Sequence, residues 1–425
     1  MPIGKALRGV FPGWWVLAAG SVIQSVGNGL LWFGSTVFFL PVLQDMGVSR
    51  AVLSLVFAAR SLEGGLEGPL VGWLIDRFGP RWLVLAGVSI AGLGLILLAL
   101  APSFVVFVFI YVMLVGMGYN AGFFAPISTA LNSWFIRRRG LVLGILSAAG
   151  GVGGVVLVPL LSYMVLSFGW RWASVVSGLI ILVVCIPLAL PIYRSPESRG
   201  LQPDGISPQG GTDSAVVPMP ASADFSVGEA VRTVSYWLLA VTITLRVGVT
   251  QAVVLHMVPI LVWKGLDEVT AAFLVGLFAF LHVPAPLFLG WLGDRWSKTM
   301  ISALGAFSGL VGLVLLLFTQ GASSGYILAI SLALIMGTTA LNWALIGDFF
   351  GRRYYATLRG IMGLVYCIST FSAPIYAGWV FDRTGSYEEA LVVFSIILAV
   401  VTVLFALLRH PAPLKELVPG ASRLR

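Results

Sequence analysis

Gly72-Trp73-Leu74-Ile75-Asp76-Arg77-Phe78-Gly79-Pro80-Arg81 closes one long apolar run and opens the next. Its first part returns 218 residues later as Gly290-Trp291-Leu292-Gly293-Asp294-Arg295. A second feature repeats with it. Arg137, Arg138 and Arg139 precede the fifth apolar run, and Arg352 and Arg353 precede the eleventh, an offset near 215 residues. Punctuation that recurs at about half the chain length of 425 residues reads as two related halves in the same orientation. In each copy a glycine permits close helix approach, and the aspartate and arginine can bridge helix ends. Taken singly, either copy also reads as an ordinary loop ion pair.

The runs between these motifs are too apolar for a soluble domain. The AVILMFWYC set makes up 59% of the chain and charged residues only 10%, against about half and about a quarter in soluble domains. Helices are predicted at 14–43, 50–75, 82–101, 104–134, 141–167 and 172–193, then at 235–263, 270–293, 299–319, 324–347, 356–380 and 388–408. Each is long enough to cross roughly 30 Å of hydrocarbon. Fifty glycines suit membrane helices that pack closely. The stretch from Arg194 to Val234 is rich in Pro, Gly, Ser and Asp and reads as a linker. The expectation is an all-α membrane protein of twelve transmembrane helices in two pseudo-symmetric six-helix bundles, 1–193 and 235–425, joined by a cytoplasmic linker loop over 194–234. The first run follows Lys5 and Arg8 as a signal peptide would, but it continues to about Leu43 with no convincing cleavage site, so it reads as a retained helix. Cys185 and Cys367 lie inside apolar runs, which gives no disulfide framework.

Loop charge orients the chain. With both termini cytoplasmic, nineteen of the 25 Lys and Arg residues fall on that side, Arg77, Arg81, Arg352, Arg353 and Arg359 among them. Arg50, Arg171, Lys264 and Arg383 fall opposite, and Arg60 and Arg246 lie within helices. That asymmetry orients a multi-pass protein with both termini cytoplasmic, and the plasma (cell inner) membrane is the expected location. It also explains the net charge of +8 without any nucleic-acid partner.

The Gly72–Arg81 stretch resembles the G-x-L-x-D-R-x-G-x-R loop of the major facilitator superfamily in residue types, spacing and position. The resemblance implies a conformational-switch loop built on Gly72, Asp76, Arg77, Gly79 and Arg81, echoed by Asp294 and Arg295. It further implies secondary transport with no cofactor, by rocking two halves around a central site. Trp134-Phe135-Ile136-Arg137-Arg138-Arg139-Gly140 is similar to the monocarboxylate transporter and oxalate/formate antiporter branch, as are Pro12-Gly13-Trp14-Trp15, Gly169-Trp170-Arg171 and His256-Met257-Val258-Pro259. That branch implies small organic anions, moved with a proton or by exchange. One departure is plain. Members handling monocarboxylates or oxalate typically carry an arginine in helix 8, and the oxalate exchanger a lysine in helix 11. Here helix 8 reads Phe280-Leu281-His282-Val283-Pro284 without arginine, and helix 11 offers Tyr366, Ser369 and Thr370 without lysine. A simple lactate or oxalate assignment does not fit.

Charge inside hydrocarbon is costly, so ionisable residues there are functional candidates. Thr242, Arg246, Thr250 and His256 share a sector of roughly 120° along about 20 Å of the seventh helix. The superfamily resemblance implies that helices 1, 4, 7 and 10 line the cavity, which makes Arg246 the expected carboxylate fork. The other reading is a structural arginine held by a carboxylate or helix-end carbonyls. Arg60, Glu63 and Glu67 share one face of the second helix, where Arg60 and Glu63 can pair and leave Glu67 for proton coupling. A satisfied network is the equal alternative. His256 and His282 could carry a proton, with packing favoured for His282. Asn28, Tyr119, Asn120, Asn342 and Tyr366 are neutral candidates for lining the site, or for hydrogen bonds between helices. Three histidines without a ligand cluster suggest no metal site.

The chain lacks G-x-S-x-G, H-E-x-x-H and any G-x-x-x-x-G-K-[ST] loop, so neither an enzyme nor an ATP-driven pump is expected. The expected function is secondary active transport of a small organic anion, a carboxylate first, by alternating access, coupled to protons or by exchange. A transporter of neutral or cationic solutes, drug-like efflux included, and a transporter-derived solute sensor remain as alternatives.

Overall fold

The computed structural model describes residues 11–48, 50–205 and 224–411. The middle of the predicted linker, 206–223, lies outside the described residues, as do Lys5, Arg8, Lys415, Arg423 and Arg425 of the orientation argument. Among the described residues there is no strand, and ten helices are long and apolar enough to cross a membrane. The ten become twelve for two physical reasons. Arg139–Ala189 is two helices meeting at Gly169, whose φ of +82° only glycine adopts cheaply. Arg50–Phe78 has the length but is interrupted by Arg60, Glu63, Glu67, Asp76 and Arg77, so its apolarity falls short.

The first half comprises α1 (Gly13–Met46), α2 (Arg50–Phe78), α3 (Pro80–Leu98), α4 (Phe104–Trp134), α5 (139–168) and α6 (170–189). The second comprises α7 (Val234–Leu255), α8 (Val269–Arg295), α9 (Lys298–Phe318), α10 (Ala322–Phe350), α11 (Tyr355–Thr384) and α12 (Glu388–Leu407). Local chemistry sets the ends. Gly79, at φ +91°, turns the chain and Pro80 opens α3 at the first helical position. Thr233 caps α7 by accepting the Tyr236 N–H at 3.2 Å. Gly385, left-handed at φ +67°, stops α11.

Several helices are not continuous. α1 carries a π-helical turn over Asn28–Phe33 and α4 another over Ile110–Gly116, a distortion often found near working sites. The predicted helix 235–263 breaks at His256 and resumes as Met257–Trp263. The predicted helix 270–293 breaks at His282 and Val283, ahead of Pro284. The outer surface remains apolar, with Leu166, Phe318 and Val105 largely exposed, as expected of a lipid-facing wall.

The two halves meet along α2 with α11 and α5 with α8. A Cβ added at Gly72 would stand 2.8 Å from the Thr357 Cα, and one at Gly290 would stand 2.8 Å from the Gly140 carbonyl carbon. Small residues let these backbones touch, as in other membrane helix pairs.

Candidate functional site

A cavity of about 220 Å³ lies between the halves, walled by Trp32 of α1, Glu67 of α2, Tyr119, Asn120 and Phe124 of α4, Trp343 of α10, and Arg359 and Tyr366 of α11. Gly64, Gly68 and Gly72 of α2 and Gly360 and Gly363 of α11 complete the wall. Tyr119, Asn120, Tyr366 and Glu67, all candidates from the sequence, come together here. No residue of α7 is among those lining it.

Arg359 is the cation of this cavity. Counted with the cytoplasmic loops from sequence, it instead stands one turn inside α11, which starts at Tyr355. Its guanidinium carbon lies 4.5 Å from the Trp343 ring centroid and 4.9 Å from that of Phe124. Cation–π contact of this kind shelters the charge without cancelling it. The buried Nε makes no hydrogen bond among the described residues, and no described carboxylate forms an ion pair with the group. The helical spacing of Arg359, Gly363 and Tyr366 was the available signal, since residues three, four and seven apart share a face.

Across the cavity, α2 presents carboxyl groups. Both Glu67 oxygens are shut off from solvent, and neither accepts a hydrogen bond from a described donor. The Glu67 carboxyl lies beside that of Glu63, with the Asn120 amide near both. The expected Arg60–Glu63 ion pair is absent among the described residues. Arg60 turns toward α1 and α4 instead, donating from Nη1 to the Leu31 carbonyl at 2.8 Å and to the Tyr111 hydroxyl oxygen at 3.2 Å. Its guanidinium also covers the Tyr119 ring at 4.8 Å. Backbone and aromatic partners thus satisfy most of a charge that sequence spacing assigned to a carboxylate.

The repeated motif closes the basic face of the molecule, the face bearing the Arg137–Arg139 and Arg352–Arg353 clusters. Asp76, at the end of α2, accepts the Thr357 N–H at 2.8 Å and hydroxyl at 2.6 Å, and the Ala356 N–H at 3.3 Å. Asp294, at the end of α8, accepts the N–H groups of Gly140 and Leu141 at 2.7 Å each. Each carboxylate sits on the free amides of the other half's helix start, where a negative charge is favoured. Arg139 reaches Asp348 at 2.7 Å, and Lys298 joins Asp348 at 2.7 Å and Asp294 at 3.5 Å. Among the described residues the motif arginines do not bridge to acids. Arg77 covers the Trp73 ring, Arg81 that of Tyr193 and Arg295 that of Trp291.

The Major Facilitator Superfamily model matches residues 23–374, most of the chain. This protein belongs to the major facilitator superfamily. The chain is therefore a transporter, not an enzyme. The probable sulfoacetate transporter SauU of Cupriavidus necator is 26% identical over 379 residues, covering 84% of this chain and 85% of that one. Human monocarboxylate transporter 11 is 27% identical over 399 residues, covering 89% and 79%. The monocarboxylate branch seen in the sequence is thus matched by whole-length relatives. Among solved structures, the E. coli fucose:proton symporter FucP superposes with a TM-score of 0.71 at 14% identity, covering 93% of this chain and 98% of that one. At that identity the likeness is one of fold.

The other candidates of this major facilitator protein lie outside the cavity wall. Arg246, 1% exposed, donates from Nη1 to the Ile335 carbonyl at 3.0 Å and from Nη2 to Thr339 Oγ1 at 3.2 Å. With its oxygen turned to the guanidinium, the Asn342 amide accepts from Arg246 Nε and Nη2 at 3.0 Å each. Arg246 and Asn342 therefore join α7 to α10, with a backbone carbonyl, a hydroxyl and an amide as the guanidinium's partners. Asn28 joins α1 to α4, its oxygen accepting from the Tyr119 hydroxyl at 2.7 Å and from Gln24 Nε2 at 2.9 Å. His256 stands at the α7 break between the Tyr387 hydroxyl and the Pro374 carbonyl, 3.1 Å from each. The carbonyl can only accept, so Nε2 carries the hydrogen and Nδ1 accepts from Tyr387 in the neutral ring. His282 sits at the α8 break beside Phe278. No group of three His, Cys, Asp or Glu residues suited to a metal ion occurs among the described residues.

Proposed function

We propose that this transporter moves a small organic anion, a carboxylate or sulfonate, by alternating access, with Arg359 as the anion anchor. The observation that carries this reading is a guanidinium in the cavity between the halves with no carboxylate partner among the described residues, held between Trp343 and Phe124. An arginine kept unpaired in hydrocarbon is costly unless a ligand compensates it, and its planar fork matches a carboxylate. Two relatives are named for anions, sulfoacetate and monocarboxylates, which supports the same class. Arg359 on α11 then fills the role left open by the missing helix 8 arginine.

In this reading the structure corresponds to a state shut on its basic face by Asp76 and Asp294. The loop charge asymmetry supports a cytoplasmic orientation for that face. Release toward the cytoplasm requires both aspartates to leave the helix starts they cap, and the anion on Arg359 travels with the rocking halves.

Uptake of a labelled carboxylate and sulfonate panel into proteoliposomes tests the proposal. Wild type accumulates at least one anion, Arg359→Ala loses accumulation, and Arg359→Lys keeps a reduced rate. Accumulation unaffected by Arg359→Ala, or confined to neutral solutes, would overturn it.

A further inference from the structure

Between the cavity and the basic face, the shut interface encloses donor groups that no described residue satisfies. Tyr355, the first residue of α11, is fully buried, and its hydroxyl makes no hydrogen bond among the described residues. Asn132, near the end of α4, is fully buried too, and neither its amide nitrogen nor its oxygen has a partner among them. Its amide is pressed against α10, where a Cβ added at Gly347 would stand 2.8 Å from the Asn132 Cγ. Neither residue lines the cavity, but helical spacing connects both to it. Phe124, Ser128 and Asn132 run down one face of α4, Trp343 and Gly347 down one face of α10, and Arg359 and Tyr355 down one face of α11. Phe124, Trp343 and Arg359 belong to the cavity wall. At the other end stands the Arg139–Asp348 ion pair, with Arg139 Nε donating to the Asn132 carbonyl at 3.4 Å. Resting on the anion reading above, we infer that Tyr355, Asn132 and Arg139 form a second, transient anion site, assembled as the basic face opens, through which the substrate leaves Arg359.

Opening changes what each of these groups faces. A seam that served only as a seal would be apolar, because buried donors without acceptors cost free energy while the halves are shut. Parting the halves takes Asp348 away from Arg139, and Asp348 keeps Lys298 of its own half, at 2.7 Å. The acid thus leaves already neutralised, and Arg139 is left as a free guanidinium. Asp294 departs at the same time from the N–H groups of Gly140 and Leu141. The start of α5, directly after Arg139, then offers two free amides and the positive end of a helix dipole. Tyr355 stands between the two cations, in the field of Arg359 on the cavity side and of Arg139 and Asp348 on the other. An anion moving off Arg359 therefore meets hydroxyl and amide donors before it reaches the second guanidinium.

Ser128→Cys places a probe on this path. Ser128 is fully buried beside Tyr355, its hydroxyl donates only to the Ala125 carbonyl of its own helix at 2.9 Å, and cysteine is close to it in size. The full-length chain, with Cys185→Ser and Cys367→Ser, is reacted from the basic side with two methanethiosulfonates of similar size, one bearing a sulfonate and one a quaternary ammonium. Both reagents meet the same open population, so the ratio of their rates reads local charge and not the conformational equilibrium. The sulfonate reagent should be favoured at least tenfold more strongly than at Ser198→Cys, an exposed position in the linker. Tyr355→Phe and Asn132→Leu should each cut that preference at least threefold, and Arg139→Gln should remove it. A transported carboxylate or sulfonate should slow the sulfonate reagent more than the ammonium reagent. Equal preference at Ser128→Cys and Ser198→Cys overturns the inference, and so does equal slowing of both reagents, since the anion then only shuts the seam. A Ser128→Cys chain that never reacts while Ala356→Cys does also overturns it, because the route then lies elsewhere. Asn132→Cys is the second probe position if Ser128→Cys does not fold. The charge preference is read without substrate, so it fails separately from the Arg359 uptake test. Preference without uptake of any anion overturns the anion reading, and the role of this site with it.

Discussion

Gly68 of α2 and Gly360 of α11 pack backbone to backbone: a Cβ added at Gly68 would stand 2.8 Å from the Gly360 carbonyl oxygen. Both glycines line the cavity, so a close approach of the two halves is also part of the site wall. The backbone there cannot yield as a flexible side chain would, which makes this contact a direct handle on closure.

Gly68→Ala therefore acts on conformation. Overpacking at a close contact costs roughly 1–3 kcal/mol, and here the cost falls only on the closed arrangement. The ratio of molecules shut on the basic face to open ones drops by about 5- to 150-fold. Labelling of a cysteine introduced near Ala356 from the basic side should rise accordingly; unchanged labelling would mean that α2 and α11 do not separate.

Asp76→Asn and Asp294→Asn remove a charge from a helix start while keeping an acceptor. Each should weaken closure by roughly 0.3–2 kcal/mol, and alanine should weaken it further. Amide exchange reads the effect locally. Asp76→Asn speeds exchange at Ala356 and Thr357, and Asp294→Asn speeds it at Gly140 and Leu141.

Arg246 and Arg359 should separate stability from binding. Arg246→Ala strips partners from the Ile335 carbonyl and Asn342, at roughly 1.5–3 kcal/mol for each charged hydrogen bond lost. Its melting temperature falls in the absence of any ligand. Arg359→Ala gives up no hydrogen bond to a described residue, so its unliganded melting temperature changes far less than that of Arg246→Ala and its response to ligand disappears. A reversed pattern would return the anchor to α7.

Arg352 offers a pH-resolved prediction at the basic surface. Its Nη1 bonds the Ser133 carbonyl at 3.0 Å and Glu197 Oε1 at 2.9 Å, tying the second half to the first. Partial burial works against the Glu197 charge, but hydrogen bonds and the Arg352 guanidinium outweigh it and hold the carboxyl below its ordinary 4.5. A depressed carboxyl contributes fully above its unfolded value and loses that contribution as pH falls through the folded one. The tie should thus be constant from neutrality down to about pH 4.5 and fail below that. Glu197→Gln should behave at pH 7 as the wild type does in acid.

Much of this was legible in the sequence, because a bilayer imposes length and apolarity on every spanning segment. The twelve helices and the two halves follow from run lengths and a repeat, and the superfamily from the resemblance of Gly72–Arg81 to its loop motif. The site was harder to read, for two physical reasons. Arg359 fell inside the predicted helix 356–380, but near enough to Arg352 and Arg353 to be counted as loop charge, and only the cavity between the halves shows which space it lines. Arg246 was singled out because buried charge is expensive, yet its cost is met by the Ile335 carbonyl, and a backbone partner 89 residues away leaves no mark in a pattern of side chains. Arg60 shows the same limit, since its principal acceptor is the Leu31 carbonyl.

The crossed latches have a structural parallel outside single chains. Asp76 reaches from the first half to the second, and Asp294 returns the same grip from the second to the first. In a two-fold dimer such a reciprocal contact is isologous: every bond is made twice, by the same patch on both partners. Here one polypeptide keeps that reciprocity after its two repeats have diverged in sequence. A lesion in either aspartate leaves its counterpart intact as a pivot, so single variants should skew the two halves, and only the double variant should let them part evenly.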